Sequence, residues 1–577
     1  MTRTSIVLLL VCGGIAARLD SQTPASQVVA SIAGTVVDGQ TGEPIASAAV
    51  FLRPLHKAEG SCGVSNFGDG KFLCEVFAPG EFQLSATHRG YSPGDFGMRT
   101  STDVPQPFDL AAGEHATAVT LRLWKNGTIT GRALDAAGEP IVNASVSAIW
   151  MYQSGPARFM RSPTTTTDDR GIYRLAEMSP GDYVIALTRG RSLSAPSMAI
   201  FHPQAASFAD AKTVHVTSGT DLTGIDVSET RTRTFTVSGQ LLGRSTARST
   251  GYEARPTSVR LIPADAPQTP PGFDVAVADA FAQVGGNGAR DRGGAFTLTN
   301  VPPGHYVIRV VAFPNLGGSN VVSSSGIAIG SPRAPVPLVD TLWAEMPVTV
   351  TDHDVLDLPV TLQRAARLSG RMDFEDAPGK QVLEDAPVFL VRTDSRQYGD
   401  MPFGVTEADG TFRTVGVPPG PYALLALPPL GPAFSATGWR MASVLVNGRD
   451  VADHAFDVGT TDIADVLVTL RRLASLSGFV RDASGAARGD TSLYIFTADR
   501  TRWDPQGLPP TTTPREFRPN QRGHYHSELL PGDYYVAAGT DALADWLTPE
   551  KLAELAKTAT KISVAPGEQK TLDVVIR

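Results

Sequence analysis

The sequence predicts an all-β chain of five tandem β-sandwiches with one short helix near the C-terminus. Three observations support this prediction: a phrase that occurs five times, period-two alternation of side chains after each copy, and a composition rich in turn formers. The 577 residues include 56 glycines and 43 prolines, spread rather than clustered. Repetition at a regular spacing is typical of tandem architectures, and scattered glycine and proline suit many short strands joined by turns.

The repeated phrase joins a Gly-x-aromatic segment to a Pro-Gly pair. Its first half occurs as Gly70-Lys71-Phe72, Gly171-Ile172-Tyr173, Gly294-Ala295-Phe296, Gly410-Thr411-Phe412 and Gly523-His524-Tyr525. Its second half follows as Pro79-Gly80, Pro180-Gly181, Pro303-Gly304, Pro419-Gly420 and Pro531-Gly532. Proline presets φ and glycine accepts positive φ, so the pair predicts a type II turn and the phrase predicts a β-hairpin.

An aromatic residue follows each Pro-Gly pair at the same distance, and the residues after it alternate in character. Tyr183, Ile185 and Leu187 share one face of such a strand, which indicates a buried side. We therefore expect the aromatics to anchor five cores, at Phe82, Tyr183, Tyr306, Tyr422 and Tyr534. Each repeat also opens on a strand that contains a glycine, at Gly34, Gly131, Gly239, Gly370 and Gly478.

These signals divide the chain into five predicted sandwiches, at residues 28–124, 125–231, 232–364, 365–471 and 472–577. The third is the longest because of its loops. Few residues separate one closing strand from the next opening strand, which favours short, stiff linkers and an elongated monomer. The helix is predicted after Leu547, with Thr548 as N-cap and Pro549 at the first helical position, covering an edge or end of the last sandwich.

Residues 1–17 have the features of a secretory signal: Arg3, an apolar stretch from Ile6 to Ile15 and a small-residue cleavage region. The apolar stretch is too short to span a bilayer, and no later segment approaches the required length. We expect the mature chain to be secreted, periplasmic or held at the cell envelope. The alternative is a lipid anchor at Cys12, although the residue before it is not small.

Charge and cysteine use restrict the partners and the compartment. The net charge is −8, with 50 basic and 58 acidic residues. A nucleic-acid partner is disfavoured because phosphate binding needs a concentrated cationic face, and an anionic membrane surface is disfavoured for the same reason. Beyond the signal only Cys62 and Cys74 remain. They predict a disulfide between neighbouring strands or, alternatively, two buried thiols.

Several segments match part of a catalytic or metal motif, and each lacks a required feature. His56 and Glu59 have the spacing of a zinc half-site but no third ligand. Ser92 lies in a Gly-x-Ser-x-Gly segment, yet the following Pro93 has no N–H to donate to an oxyanion, so a turn is predicted there. His524 and His526 share a face of a strand that we expect to be exposed. The sequence predicts no enzyme, cofactor or metal site.

Aspartates precede the Gly-x-aromatic segment in four repeats, at Asp69, Asp168, Asp291 and Asp409. They have the oxygen ligands that calcium prefers, but a calcium loop needs several such ligands closely spaced. We expect each carboxylate to cap its own tight turn instead. The candidate ligand contacts are Trp150, Trp439 and Trp503, since an indole face stacks on the apolar face of a sugar; packing in a core or loop is the alternative role.

The repeats resemble the carboxypeptidase regulatory-like domain, a prealbumin-like (transthyretin-like) sandwich. The resemblance depends on the opening segment Gly34 to Asp38 with Gly42-Glu43-Pro44, and on Asp168 to Tyr173 followed by Pro180 to Tyr183. It implies an antiparallel, two-sheet Greek-key module of the Ig-like kind that accompanies peptidases, outer-membrane receptors and carbohydrate-active proteins. The module is also similar to carbohydrate-binding sandwiches.

The resemblance and the composition together predict an exported, non-catalytic protein that serves as a binding or spacer module at the cell envelope. Glycans or envelope proteins are the expected partners, with carbohydrate the candidate ligand. The alternative is an accessory or regulatory part of an extracellular peptidase or outer-membrane receptor system.

Overall fold

The computed structural model describes residues 30–55, 62–76, 79–152, 158–188, 199–206, 208, 210–230, 233–243, 256–264, 278–283, 294–313, 336, 340–375, 384–393, 402–427, 438–503, 514–539 and 548–576. The predicted signal segment with Cys12, the His56–Glu59 half-site and Asp291 lie outside these residues. Strands dominate the described chain and form five β-sandwiches, each around its own apolar core. The all-β prediction is confirmed.

The first sandwich consists of β1 (Ala30–Asp38), β2 (Ala49–Pro54), β3 (Cys62–Asn66), β4 (Lys71–Val76), β5 (Gly80–Thr87), β6 (Tyr91–Ser92), β7 (Gly94–Asp95), β8 (Phe108–Leu110) and β9 (His115–Lys125). One sheet has the order β3-β4-β1-β9-β6, and in the other β5 pairs with β2, β7 and β8. Ile32, Phe72 and Leu84 lie in the core between the sheets.

The second sandwich consists of β10 (Gly127–Leu134), β11 (Ser145–Tyr152), β12 (Arg158–Thr166), β13 (Ile172–Met178), β14 (Gly181–Thr188), β15 (Ile200–Phe201), β16 (Thr213–Val216), β17 (Asp221–Leu222) and β18 (Val227–Ser228). β10 pairs with β13, β17 and β18, while β11 and β14 form the centre of the other sheet. Ile149 breaks the alternation of β11 because it lies in a separate apolar cluster with Val184 and Phe201 on the outer side.

The third sandwich consists of β19 (Phe235–Leu242), β20 (Pro256–Pro263), β21 (Ala278–Gln283), β22 (Gly294–Val301), β23 (Gly304–Ala312), β24 (Leu342–Val350), β25 (Val355–Thr361) and β26 (Gln363–Arg364). Its sheets have the orders β22-β19-β25 and β21-β20-β23-β24-β26.

The fourth sandwich consists of β27 (Leu368–Phe374), β28 (Pro387–Arg392), β29 (Phe403–Thr406), β30 (Thr411–Thr414), β31 (Gly420–Ala426), β32 (Trp439–Val446), β33 (Arg449–Asp450), β34 (Phe456–Val458) and β35 (Ile463–Arg472). Here β29 pairs with both β28 and β30, so the two layers are joined in one continuous sheet.

The fifth sandwich consists of β36 (Ala474–Asp482), β37 (Ser492–Thr497), a 3-10 turn (Arg500–Arg502), β38 (Arg515–Phe517), β39 (His524–Leu529), β40 (Gly532–Gly539), α1 (Pro549–Leu555), β41 (Thr560–Val564), β42 (Gln569–Thr571) and β43 (Val574–Ile576). β36 pairs with β39, β42 and β43, and the other sheet has the order β38-β37-β40-β41.

In every sandwich the opening strand carries a glycine that the closing strand approaches closely. A Cβ added to this glycine would lie between 1.9 and 2.3 Å from a carbonyl oxygen of the closing segment, which is divided into two short strands in the second and fifth sandwiches, at Gly34, Gly131, Gly239, Gly370 and Gly478. No side chain fits at such a distance, which explains the repeated glycine. The opening and closing strands run parallel, so the prediction of fully antiparallel sheets is wrong for this one pair.

The aromatic of the Gly-x-aromatic segment packs beside the same glycine. The ring of Phe72 lies below Gly34 in the first sandwich. In the second, the hydroxyl of Tyr173 donates to the carbonyl of Ile225, and in the fifth, Tyr525 donates to Leu572 at 2.7 Å. Opening glycine, aromatic and closing carbonyl thus meet at one place in the fold.

The Pro-Gly phrase is not a hairpin, and that prediction is wrong. The strands on its two sides never pair with each other: β4 pairs with β1 and β3, whereas β5 pairs with β2, β7 and β8. The same holds for the strand pairs β13/β14, β22/β23, β30/β31 and β39/β40. The chain instead crosses from one layer to the other, with the turn glycine at a φ of 147° to 157° in four copies rather than the value near +80° of a type II turn.

Tyrosine hydroxyls fix this crossover. Tyr183, Tyr306 and Tyr534 each donate to the carbonyl four residues earlier, at 2.7, 2.8 and 2.9 Å. Such a tyrosine corner ties the start of the new strand back to the end of the old one. All five aromatics after the turn are buried, as expected.

The predicted helix and its cap are confirmed. The hydroxyl of Thr548 accepts a hydrogen bond from the Lys551 N–H, and Pro549 begins the helix. Leu552 is buried in a cluster with Phe496 and Trp503. The helix therefore covers the outer face of the β37-β40 sheet, not an edge or end. Within the described residues no helix is both long and apolar enough to cross a membrane.

Linkers between sandwiches are short, as predicted. Only Asn126 separates β9 from β10, and only Leu473 separates β35 from β36. At the boundary of the third and fourth sandwiches, Arg364 pairs with Asp340 at 3.2 Å and with Asp462 at 2.9 Å.

The expectation of an elongated string is wrong, because the fifth sandwich contacts the first. Arg522 lies 3.1 Å from Asp109, and Asn520 donates to Glu81 at 2.7 Å. Short linkers restrict the angle between neighbouring sandwiches, but they do not make that angle straight, and here the successive angles return the end of the chain to its beginning.

Candidate functional site

The candidate binding site is a cleft of about 440 Å³ at the boundary of the fourth and fifth sandwiches. The fourth sandwich contributes residues of β32, β33 and the end of β35. The fifth contributes the 3-10 turn, the Pro-Gly crossover and β41. The lining residues are Ala442, Ser443, Asp450, Arg471, Thr497, Ala498, Asp499, Arg502, Leu530, Pro531, Gly532, Asp533, Tyr534 and Lys561.

An ion pair across the boundary includes Arg502, one of the residues that line this cleft. Arg502 of the fifth sandwich lies 2.7 Å from the carboxylate of Asp453 in the fourth, whose side chain is 2% exposed. Arg502 also approaches Asp499 of its own turn at 3.4 Å. A buried carboxylate with a charged partner fixes the relative position of two elements, since separating the pair leaves an uncompensated charge.

The two rims carry ion pairs of their own. On the fourth sandwich, Arg471 pairs with Glu375 and donates a second hydrogen bond to it at 3.2 Å. On the fifth, Lys561 lies 3.2 Å from Asp533, which also accepts from the Ser563 hydroxyl at 2.5 Å. The cleft therefore presents balanced positive and negative groups, in an arrangement of donors and acceptors rather than a field of one sign.

The environment shifts the pKa of three lining groups. Hydrogen bonds from the Thr501 and Ser563 hydroxyls lower the pKa values of the Asp499 and Asp533 carboxyls, respectively. Burial raises the pKa of Tyr534 to about 12. At neutral pH both carboxylates are charged acceptors and the phenol is a neutral donor, bonded to the Leu530 carbonyl.

The three predicted tryptophan contacts do not come together, and none lines the cleft. Trp503 is 3% exposed and its indole N–H donates to the Thr497 carbonyl at 2.8 Å, so it packs within the fifth sandwich, and its role as a ligand contact stays a prediction. Trp439 is half-buried and packs edge-on against Phe374. Trp150 stacks on Tyr183.

The cysteine prediction stays open. β3 and β4 are antiparallel neighbours, with Cys62 opposite Val76 and Cys74 opposite Val64. The two cysteines thus occupy diagonal positions across the ladder rather than directly opposed ones. Cys74 is buried in the first core.

The aspartates before the aromatic segment cap their own turns, as predicted. Asp69 accepts from the Lys71 N–H, Asp168 from those of Arg170 and Ile172, and Asp409 from that of Thr411. Among the described residues no three His, Cys, Asp or Glu side chains are grouped to hold a metal ion.

The serine and histidine candidates lie at sandwich boundaries. Ser92 belongs to β6, not to a turn, and its hydroxyl donates to Asn126 at 2.7 Å beside the second sandwich. His524 lies 2.9 Å from Glu81 of the first sandwich, so it is part of an interface rather than an exposed strand face. The position of the cleft was missed because its walls belong to two different sandwiches and carry no common motif.

Residues 128–238 match the carboxypeptidase regulatory-like domain family, which supports the resemblance for the second sandwich and about a fifth of the chain. No curated protein matches the chain.

Solved structures with weak similarity include the Bacillus anthracis TIE protein, 11% identical over 78% of this chain and 76% of that one, with a TM-score of 0.16. A streptococcal ancillary pilin is 10% identical over 60% of this chain and 99% of its own, with a TM-score of 0.19. BcpA, the major pilin subunit of Bacillus cereus, is 11% identical over 60% of this chain and 99% of its own, with a TM-score of 0.13.

Proposed function

We propose that this chain is an exported, non-catalytic binding module whose ligand occupies the cleft between the fourth and fifth sandwiches. The observation that carries the proposal is the cleft itself: a concave space of about 440 Å³ with walls from two sandwiches that an ion pair holds together. Specific small-ligand sites are concave and use a few fixed polar groups to orient the ligand, often at domain boundaries.

Carbohydrate is the ligand class that the lining favours. Charges of both signs balance across the cleft, which suits neutral hydroxyl groups that both donate and accept hydrogen bonds. Asp499 and Asp533 supply acceptors, while Arg471, Arg502 and Lys561 supply donors. The described residues that line the cleft include no tryptophan, so recognition would depend on hydrogen bonds rather than on stacking on an indole.

A glycan array with the purified full-length chain tests this proposal. We expect binding that Lys561→Ala weakens about tenfold, since Lys561 is exposed at the rim and its loss removes one charged donor. Lys551→Ala is the matched control, because Lys551 lies on α1 and not in the cleft. Absence of binding to every glycan on the array, or an equal loss of affinity in the two variants, would refute carbohydrate binding in the cleft.

The match to the carboxypeptidase regulatory-like family favours a second candidate, an accessory or regulatory part of an extracellular peptidase or outer-membrane receptor system. Pull-down from an envelope fraction, followed by mass spectrometry, tests it. Recovery of a peptidase or receptor that the purified chain then binds directly would support this role. Export itself is tested by N-terminal sequencing of the secreted protein, which should begin after residue 17.

A further inference from the structure

The fifth sandwich meets the first mainly through residues 518–524, which we term the latch loop, and Gln106 of the first sandwich also donates to the Gly489 carbonyl at 2.6 Å. The latch loop joins β38 to β39 and lies against β5, β8 and the 95–114 region of the first sandwich. We infer that the latch loop is a reversible intramolecular latch that closes the five-sandwich chain on itself. The inference is independent of ligand binding in the cleft, which lies at a different boundary.

The latch loop protects an edge strand. The side-chain amide of Gln521 accepts from the Asp109 N–H at 2.9 Å and donates to the Asp109 carbonyl at 2.5 Å. Asp109 is the middle residue of β8, whose other side pairs with β5. Gln521 therefore takes the place of a neighbouring strand, and it satisfies backbone groups that an open edge would present for association.

Asn520 gives the latch loop its shape before it docks. Its side-chain oxygen accepts from the backbone N–H groups of Arg522 and His524 within the loop, at 2.9 and 3.0 Å. Its side-chain nitrogen donates to Glu81 of the first sandwich at 2.7 Å. The residue is 1% exposed, so the contact excludes solvent at its centre.

Charges on the two sandwiches are complementary. Arg522 pairs with Asp109 at 3.1 Å and with Glu114, and Arg518 donates to the Gly97 carbonyl at 2.7 Å. A basic loop thus meets an acidic surface. Charge-assisted hydrogen bonds of this kind are stronger than neutral ones and give the contact one defined geometry.

The contact that the hydrogen bonds and ion pairs define is polar, which makes it reversible. None of the apolar clusters in the described residues includes side chains of both the first and the fifth sandwich. Each sandwich keeps its own core when the contact opens, because the interface contributes nothing to either core. A polar interface between folded units is typical of contacts that form and separate.

Small-angle X-ray scattering of the full-length chain tests the latch, with the double variant Gln521→Ala/Arg522→Glu. The substitutions remove the edge pairing and reverse the charge opposite Asp109 and Glu114. We expect the radius of gyration to rise, with about 1.5-fold as the upper limit for a fully extended chain. This limit compares a closed with an extended arrangement of the five sandwiches. The centres of neighbouring sandwiches are taken to be about 30 Å apart, the length of a long strand, and each sandwich has a radius of gyration of about 13 Å.

The matched control is Arg413→Glu/Arg449→Glu, two exposed charges on the fourth sandwich. It should leave the radius of gyration unchanged. Circular dichroism checks that the variant sandwiches stay folded, and adding Glu114→Arg to Arg522→Glu should reduce the radius again by re-forming an opposite-charge pair. Amide exchange at Asp109 should accelerate at least tenfold in Gln521→Ala.

Three results would overturn the inference. An unchanged radius of gyration in the double variant would show that the loop does not close the chain. Slow exchange at Asp109 in Gln521→Ala would show that the amide does not protect the edge. A wild-type mass of two chains by light scattering would show that the surfaces join separate copies.

Discussion

Replacing Gly370 by alanine probes the close approach that all five sandwiches share. A Cβ at this position would lie 1.9 Å from the Val466 carbonyl oxygen, where about 3.0 Å is the shortest distance that real Cβ atoms show. The closing strand β35 must therefore retreat by about 1 Å, and its parallel ladder with β27 runs from Leu368 to Phe374.

The cost follows from two effects. Overpacking in a rigid environment costs about 1–3 kcal/mol, and each ladder hydrogen bond that lengthens forfeits part of about 1 kcal/mol. We expect the fourth sandwich to lose about 3 kcal/mol of unfolding free energy. A typical domain has about 5–15 kcal/mol in total, so the variant should still fold at low temperature while its fourth sandwich opens far more often.

Hydrogen exchange of the full-length chain at increasing urea concentration measures this, because peptides from β27 and β35 report on the fourth sandwich alone. The control is Gly459→Ala in the same sandwich, where an added Cβ would meet nothing within 4 Å; it should change the free energy by less than about 0.5 kcal/mol. A loss under 1 kcal/mol for Gly370→Ala, or equal losses for both variants, would refute the steric argument.

Four further predictions concern Ala118, Tyr534 and the two cysteines of the first sandwich. Ala118→Gly should stabilise the first sandwich by about 0.5 kcal/mol, because Ala118 has a φ of 61° that strains a Cβ; a lower urea midpoint would contradict this. Tyr534→Phe removes the donor to the Leu530 carbonyl and should cost about 1 kcal/mol, measured by urea-dependent exchange of β40 peptides. Burial raises the pKa of Tyr534 from 10.0 to about 12, so the folded fifth sandwich favours the neutral phenol. The free energy of unfolding that the neutral phenol contributes is complete below pH 10 and is lost as the pH rises through 12. The unfolding free energy of the wild type should therefore fall faster between these pH values than that of Tyr534→Phe. Equal pH dependence of the two proteins would refute the raised pKa of Tyr534. Finally, if Cys62 and Cys74 form a disulfide, the intact mass of the protein purified without reductant should be two hydrogens below that of the reduced chain, whereas an identical mass would exclude it.

The sequence was sufficient for the buried aromatics, the helix and the aspartate caps, which depend on local chemistry or on strict repetition. Alternation after each Pro-Gly pair identified the buried aromatics, including Tyr183 and Tyr422, since burial of one face follows directly from a period of two. Thr548 followed by Pro549 located the only helix of the described residues, because capping is decided within one turn. The aspartate caps follow from the same short-range geometry.

Pairing between distant segments was beyond the sequence. The Pro-Gly phrase has the composition of a hairpin turn, and only the tertiary structure shows that the chain crosses between the two layers there. The reason is that the pairing of a strand depends on residues far away in the sequence. Position 370 requires glycine because the carbonyl of Val466, about a hundred residues later, leaves no room for a Cβ. Arg522 pairs with Glu114, which lies near the other end of the sequence. The charges of both partners are visible in the sequence, but the angles between the sandwiches, which decide whether those charges meet, depend on packing at four boundaries at once.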